Sequence, residues 1–359
     1  MDSSDCRIGL FGVYSARNFG DDLMAVIFGK SLQEMGVEFT IFGLPTEYGP
    51  YGFSISTSLE EFVDTNDLIV YGGGGILQPK EKDSFLGHQL ETLLYLCRQQ
   101  SKPVFCFSIG GQGLPLDNIV PPARRHLVKQ AEYVTLRLRA DLPILDEAGT
   151  SGAHYEDVVW RTPSFFPRVS SNKAKGRPRI GINLYPHSVR EKRLLPRIFF
   201  FLTRMRQDCD FVFLESMFGA DELYGDYQAF CPSRMRSNCT YYKFHSVDDG
   251  VQCVQSFDLL ITNRLHLGMV AMSYGIPSIA LFPLPKTRLC YQELGLGDLC
   301  WNTGQFWKIY QLRSPEAQTE LLRTFEHFDL ETVRRNAKQH LVKLEEVVRE
   351  CSKKPGTEQ

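Results

Sequence analysis

The chain has 359 residues, more than one ordinary hydrophobic core organises, so two domains are expected. Its residues are 43% hydrophobic and 23% charged with a net charge of −2, which fits a folded globular protein and leaves no basic footprint for general nucleic-acid binding. No run approaches the roughly 20 apolar residues that span a bilayer, and the acidic start leads straight into a strand, unlike a signal peptide. The ten cysteines stand singly without Cys-x-x-Cys spacing, which points away from a zinc or redox site and toward a reducing, cytoplasmic setting.

Arg7 to Val13 reads as a first strand, ending in a polar turn with Asn18, Gly20, Asp21 and Asp22. Leu23, Ile27, Leu32 and Met35 give the next helix a rough 3.6-residue stripe, Gly36 stops it, and Val37 to Phe42 is the second strand. The opening has the βαβ pattern of a Rossmann-type unit without its G-x-G-x-x-G fingerprint. Asp21 reads equally as the N-cap of the helix or, with Asn18, as an acceptor-binding or base residue at a strand's C-terminal end.

Leu68 to Tyr71 is a further strand, followed by Gly72, Gly73, Gly74 and Gly75. Four glycines let backbone N–H groups approach a ligand and can form an anion nest; the absence of a following Lys-Ser/Thr pair excludes a P-loop. Lys102 to Phe107 is the next strand and ends in a second glycine-rich loop with Gly110, Gly111, Gln112 and Gly113. Val134 to Arg137 is a short strand closed by an arginine, Ala140 to Glu147 a helix, and His154 to Val159 a last strand carrying Asp157. Strand after strand ends in Gly, Asn, Asp or Arg, so this edge is expected to bind a ligand.

A stretch rich in Pro, Ser and basic residues places a linker at 166–178, between an N-terminal domain over 1–165 and a second over 179–325, with a helix and tail over 326–359. The second α/β pattern runs through a strand from Arg179 to Leu184, an amphipathic helix around Leu194 to Met205, a strand from Asp210 to Glu215 and a helix from Val247 to Gln255. Residues 217–240 are polar with no clear period. Leu330 to Arg349 reads as one long helix with Val333, Ala337, Leu341, Leu344 and Val348 on one face and Arg334, Arg335, Lys338 and Lys343 on the other. Such a helix either packs with a solvated face or lies on an anionic membrane.

The densest chemistry lies between Phe257 and Leu281. Leu259 to Ile261 is a buried strand, the chain turns at Thr262 and Asn263, and a helix follows with Leu265, Met269 and Met272 on one face. Gly275 and Pro277 end it before a second strand, Ser278 to Leu281. Arg264 and His266 therefore sit where a strand ends and a helix begins, where first-turn N–H groups are unpaired and the dipole is positive. There they form an anion receptor with a titratable group beside it. The structural alternative is an arginine paired with a surface carboxylate and a histidine that fills the first turn.

The combined pattern resembles the polysaccharide pyruvyl transferase family. The matching elements are Gly12 with Asn18 to Asp21, Asp67 to Gln78, Gly110 to Gly113, Val134 to Arg137, Glu156 with Asp157, Arg264-Leu265-His266 with Gly275-Ile276-Pro277, and Lys286 before Glu293 to Gly295. Where the family commonly has an Asp after its Val-Arg, this chain has Leu138, with Arg139 and Asp141 slightly later. The resemblance implies an α/β fold of two Rossmann-like domains facing across a cleft, similar to B-type glycosyltransferases. It implies transfer of the pyruvyl group of phosphoenolpyruvate to a hydroxyl pair of a sugar or lipid-linked oligosaccharide, giving a pyruvate ketal. Phosphoenolpyruvate is then a substrate, and no cofactor or metal is expected.

On this reading Arg264, Arg137 and Lys286, with N–H groups after Asn263 and at Leu265, meet the donor's phosphate and carboxylate. His266 does acid/base work, Asp21 is the weaker candidate base, and Asn18, Gly73, Gly74, Gly75 and Gln112 line the substrate site. The expected location is the cytoplasm, with peripheral contact at the inner face of the membrane as an option. The alternative is a nucleotide-sugar-dependent glycosyltransferase of the same two-domain architecture.

Overall fold

A computed structural model describes residues 6–14, 17–45, 50–79, 84–168, 176–185, 188–215 and 237–353. Most of the irregular stretch 217–240 and the middle of the 166–178 linker lie outside the described residues. The chain divides into two compact units, Met1–Phe165 with Glu331–Gln359, and Phe166–Leu330. The C-terminal helices thus belong with the first unit.

The first unit holds seven strands: β1 (Arg7–Phe11), β2 (Glu38–Phe42), β3 (Ser54–Ser56), β4 (Leu68–Leu77), β5 (Val104–Gly111), β6 (Tyr133–Leu136) and β7 (Gly152–His154). They form one parallel sheet in the order β3-β2-β1-β4-β5-β6-β7. Parallel strands require covered faces, and the helices α1 (Phe19–Glu34), α2 (Leu59–Thr65), α3 (Ser84–Gln99), α4 (Pro122–Gln130), α5 (Pro143–Ala148) and α6 (Thr162–Phe165) connect and flank them. α1 is buried on nearly every side from Phe19 to Gly29, a wider apolar surface than one stripe provides.

Two expected strand ends differ. The expected strand from His154 to Val159 ends at His154, and Asp157 instead caps a 3-10 turn over Val158–Arg161 by accepting from the Val159 N–H at 3.0 Å. The four glycines are no loop: β4 runs through Gly72–Gly75 to Leu77 and stays paired with β5, with a register shift between Gly74 and Leu77.

The second unit holds β8 (Arg179–Asn183), α7 (Val189–Met205), β9 (Asp210–Leu214), β10 (Cys239–Tyr242), α8 (Val247–Gln255), β11 (Leu259–Thr262), α9 (Leu265–Ser273), β12 (Ser278–Leu281), α10 (Pro285–Glu293), β13 (Cys300–Trp301) and α11 (Pro315–Glu326). Its six strands are parallel in the order β10-β9-β8-β11-β12-β13. Every residue of α9 is buried, so Leu265, Met269 and Met272 belong to a helix enclosed all round rather than to a one-sided stripe.

The long C-terminal helix is two: α12 (Leu330–Ala337) and α13 (Gln339–Cys351), meeting at Lys338. Ala337, Leu341, Leu344 and Val348 of its apolar stripe are buried. On its basic face Arg334 pairs with Glu331 and Lys343 with Glu346, while Arg335 donates to the Thr332 hydroxyl and Lys338 is exposed. With Ala337, Leu341, Leu344 and Val348 enclosed, this segment packs through its apolar stripe.

Cys6, just before β1, and Cys351, at the end of α13, are joined by a disulfide across 345 residues of sequence. Such bonds persist mainly in oxidising compartments, which departs from the reducing setting that the single cysteines suggested. Among the described residues no helix is long and apolar enough to cross a membrane.

Candidate functional site

Each sheet reverses its strand order once, between β1 and β4 in the first unit and between β8 and β11 in the second. In open α/β sheets a ligand crevice forms outside the C-terminal strand ends at such a point, because the two adjacent connections leave on opposite faces. The turns there carry most of the residues singled out from the sequence. They fall into two sets, one on each unit.

In the second unit the turn after β11 is organised by buried side chains. Thr262 Oγ1 accepts the Arg264 N–H at 3.0 Å and donates to Asn183 Oδ1 at 3.1 Å, while Asn183 Nδ2 donates to Leu214 O at 2.8 Å. Three neighbouring strand ends are thereby locked together. Asn263, expected near the donor, is almost fully buried and grips the backbone of Tyr185: its Oδ1 accepts the Tyr185 N–H at 3.0 Å and its Nδ2 donates to Tyr185 O at 2.6 Å. Its side chain is therefore committed to holding the turn after β8.

The clasp sets Tyr185 under Arg264. The guanidinium carbon lies 5.3 Å from the centre of the Tyr185 ring, a cation–π stack that fixes a long, flexible side chain. Arg264 occupies the N-cap position of α9 without a side-chain cap, leaving the first turn of that helix aimed along the β8/β11 switch point. His266 follows in the first turn and is 9% exposed. Leu265 is core, so only its backbone belongs to the turn. Lys286 is half-buried in the first turn of α10, and the next residue, Thr287, donates to Asn263 O at 3.5 Å. The first turn of α10 is thereby tied to the same strand end.

Glu215 and Tyr185 were not singled out from the sequence. Glu215 directly follows β9, is buried, and accepts a hydrogen bond from the Tyr241 hydroxyl. The signal available was position: a carboxylate immediately after an apolar strand, on the edge that also ends in Asn183 and Asn263.

In the first unit Asn18, not Asp21, caps α1, with its Oδ1 accepting the Gly20 N–H at 3.1 Å. Asp21 is thereby released from the cap, is partly exposed, and lies beside Gly74: a Cβ placed on Gly74 would stand 3.7 Å from Asp21 Oδ1. Gly73 and Gly74 take positive φ angles of 84° and 101°, and a Cβ on Gly73 would stand 2.4 Å from Met24 Sδ. Gly73 therefore lets β4 lie against α1. Gly75 is half-buried and its carbonyl accepts from Gln78 Nε2. Tyr14 donates to Gly72 O at 2.6 Å; burial first, then Tyr71, Asp21 and Asp22, push its hydroxyl pKa well up, so it stays a neutral donor.

The second glycine loop is also committed. The N–H groups of Gly111 and Gly113 donate to the two oxygens of buried Asp141 at 2.6 and 2.8 Å, so a protein carboxylate takes the place of a bound anion. Gln112 lies half-buried between them. Arg137 does not present its charge at an open edge. Its side chain is fully buried and donates to Asp157 Oδ2 at 3.0 Å, because the 3-10 turn beyond β7 brings a buried carboxylate to the end of β6.

The model of the polysaccharide pyruvyl transferase family matches residues 18–281. No curated protein matches the chain. Among solved structures, S. aureus MnaA with UDP is similar with a TM-score of 0.67 at 12% identity, covering 98% of this chain and 99% of that one. UDP-GlcNAc 2-epimerase from Neisseria meningitidis bound to UDP-GlcNAc gives a TM-score of 0.62 at 11% identity over 96% and 99% of the two chains. Anabaena Alr3699/HepE in complex with UDP-glucose gives 0.59 at 12% over 96% and 98%. At these identities the likeness is one of fold, the two-domain α/β architecture of the GT-B type.

Proposed function

Since the chain belongs to the polysaccharide pyruvyl transferase family, we propose that it moves the pyruvyl group of phosphoenolpyruvate onto two hydroxyls of one sugar, forming a pyruvate ketal. The observation that carries the proposal is the turn after β11, where a stacked arginine and a nearly buried histidine share the first turn of an enclosed helix. A small donor with two anionic groups, a phosphate and a carboxylate, is matched there by Arg264, by the helix N-terminus and by Lys286.

The chemistry needs a proton on the methylene carbon of the donor, which leaves a cationic centre at the adjacent carbon. One sugar hydroxyl attacks that carbon and loses its proton to a base. The phosphate then leaves with its bridging oxygen, and the second hydroxyl closes the ketal. One hydroxyl proton balances the methyl group and the other leaves with phosphate.

We assign the methylene proton to His266. A helix N-terminus alone disfavours imidazolium, but a bound phosphate dianion favours it, so the charge follows donor binding. Asp21, partly exposed beside Gly74, is assigned to a hydroxyl proton. Arg137 is read as a positioning residue because its side chain is fully buried and its Nη1 donates to Asp157. The acceptor is proposed to be a sugar, free or lipid-linked.

The fold likeness to enzymes solved with UDP and UDP-sugars supports one rival, a nucleotide-sugar donor on the same architecture. Fold does not choose between them. The test is thermal unfolding with phosphoenolpyruvate against UDP, UDP-GlcNAc and UDP-glucose, followed by phosphate release and product mass with extracted lipid-linked oligosaccharides. Stabilisation by phosphoenolpyruvate, and a product heavier by one pyruvyl ketal, are expected. Stabilisation by the nucleotides alone would overturn the proposal.

A further inference from the structure

We propose that the outward face of α7, in the second unit, docks the protein on an anionic phospholipid bilayer. α7 packs through Leu195, Ile198, Phe199 and Leu202, all buried. Its only carboxylate, Glu191, is also buried. The opposite face carries Arg190, Arg193, Arg197 and Arg204, all exposed. At about 100° per residue these four fall within a sector of about 60°. Among the described residues no carboxylate pairs with any of them.

Apolar side chains border that sector on both sides. Val189 and Phe200 lie on one flank and Phe201 and Met205 on the other, with exposures of 66%, 48%, 51% and 45%. The adjoining 3-10 segment Phe306–Arg313 extends the second flank with Trp307, 55% exposed, and with Tyr310, whose ring meets Phe201 edge-on at 6.3 Å. Asp208, just beyond the helix, is held by Arg206 at 2.9 Å and does not neutralise the face.

Four arginines flanked by large exposed apolar groups match the two layers of a membrane interface, phosphate headgroups and the first acyl carbons. Nucleic acid would use the charge but leave Val189 and Met205 without purpose, and the chain's net charge is −2. A second copy meeting this face across a two-fold axis would set arginine against arginine. α12 and α13 differ in that Arg334, Lys343 and Arg349 are paired within the helices and, among the described residues, no large apolar side chain of theirs is exposed. The proposal does not rest on the pyruvyl-transfer reading.

The test is co-sedimentation of the full chain with vesicles of phosphatidylcholine alone and of phosphatidylcholine mixed with phosphatidylglycerol. Binding to the anionic vesicles only, weakened by salt, is expected. Arg193→Ser, Arg197→Ser and Arg204→Ser should each lower it about fivefold, and Phe200→Ser with Phe201→Ser should abolish the part that survives high salt. Arg335→Ser with Lys338→Ser should leave it unchanged. Urea midpoints equal to the parent's confirm that the surface variants are folded. No binding to anionic vesicles, binding indifferent to the α7 substitutions, or loss on the C-terminal pair would each overturn the proposal. So would retention on single-stranded RNA without vesicle binding, or a dimer that the phenylalanine variants dissolve.

Discussion

Arg137 and Asp157 form a 3.0 Å ion pair with both side chains fully buried, and the other Asp157 oxygen accepts the Val159 N–H. The pair ties the end of β6 to the 3-10 turn beyond β7. Removing one partner strands a charge in the interior. Asp157→Asn should therefore cost about 3–5 kcal/mol of stability, while Arg137→Met with Asp157→Leu should cost much less. Urea unfolding of the three proteins tests this; an Asp157→Asn midpoint equal to the parent's would show that the pair does not hold the fold.

His340 of α13 is enclosed beside the same pair. Its Nε2 lies 3.0 Å from Glu156 O, an acceptor only, so this nitrogen carries the proton and Nδ1 accepts from the Thr135 hydroxyl at 2.7 Å. Thr135 Oγ1 in turn accepts the Ser108 N–H at 3.0 Å. The network fits a neutral ring, and burial, with His154 acting in the same direction, lowers the His340 pKa from 6.5 to about 4 against the opposing pull of Asp157.

The unfolded chain then binds a proton near pH 6.5 that the folded chain refuses until about 4. Stability from this group is complete above pH 6.5 and falls as pH drops through that window, by about 3 kcal/mol in all. Other carboxylates titrate in the same range, so the measurement is a difference. The urea midpoint of His340→Gln should be lower than the parent's at pH 7, and the gap should narrow by pH 4.5. A constant gap would mean that the histidine is not held neutral.

Gly73 and Gly74 separate two reasons for a glycine. Gly73→Ala meets both a φ of 84° and Met24 Sδ at 2.4 Å, so it should destabilise by about 1–3 kcal/mol. At Gly74 the nearest atoms are at 3.7 Å and the φ of 101° is the main cost, but the new methyl stands beside Asp21. Gly74→Ala should therefore unfold nearer the parent's midpoint than Gly73→Ala while losing more turnover per unit of lost stability.

Both parallel sheets were legible from apolar runs that end in polar turns, and the β11-α9-β12 unit follows its sequence signals almost residue by residue. What sequence periodicity hides is which polar group a folded turn already satisfies. Asp141 lies 28 residues beyond Gly113, yet its carboxylate takes two N–H groups of the Gly110–Gly113 loop that looked open to a ligand. Arg137 follows a strand end that looked open, but the 3-10 turn beyond β7 brings Asp157 to it, so its charge meets a carboxylate rather than solvent. Cys6 and Cys351, the first and last cysteines of the chain, stand 345 residues apart, and no spacing rule reaches that distance. The α7 face was equally hidden: its amphipathicity was readable, but not which neighbours leave its aromatics uncovered.

The split between Arg264 and His266 gives the sharpest kinetic expectation. His266→Asn keeps size and polarity but cannot deliver a proton at neutral pH. It should lower kcat with phosphoenolpyruvate by about 10²–10⁴ and change KM little, because general acid catalysis acts in the transition state. Arg264→Lys keeps the charge but loses the planar fork that stacks on Tyr185 at 5.3 Å, so it should raise KM for phosphoenolpyruvate about tenfold with a smaller fall in kcat. Tyr185→Leu removes the ring under the guanidinium without touching its charge and should raise KM in the same direction by less. Initial rates of phosphate release give all three. If Tyr185→Leu matched the parent while Arg264→Lys did not, the stack would be incidental. If His266→Asn changed KM alone, the imidazole would be a binding group, and the proton would have to come from elsewhere.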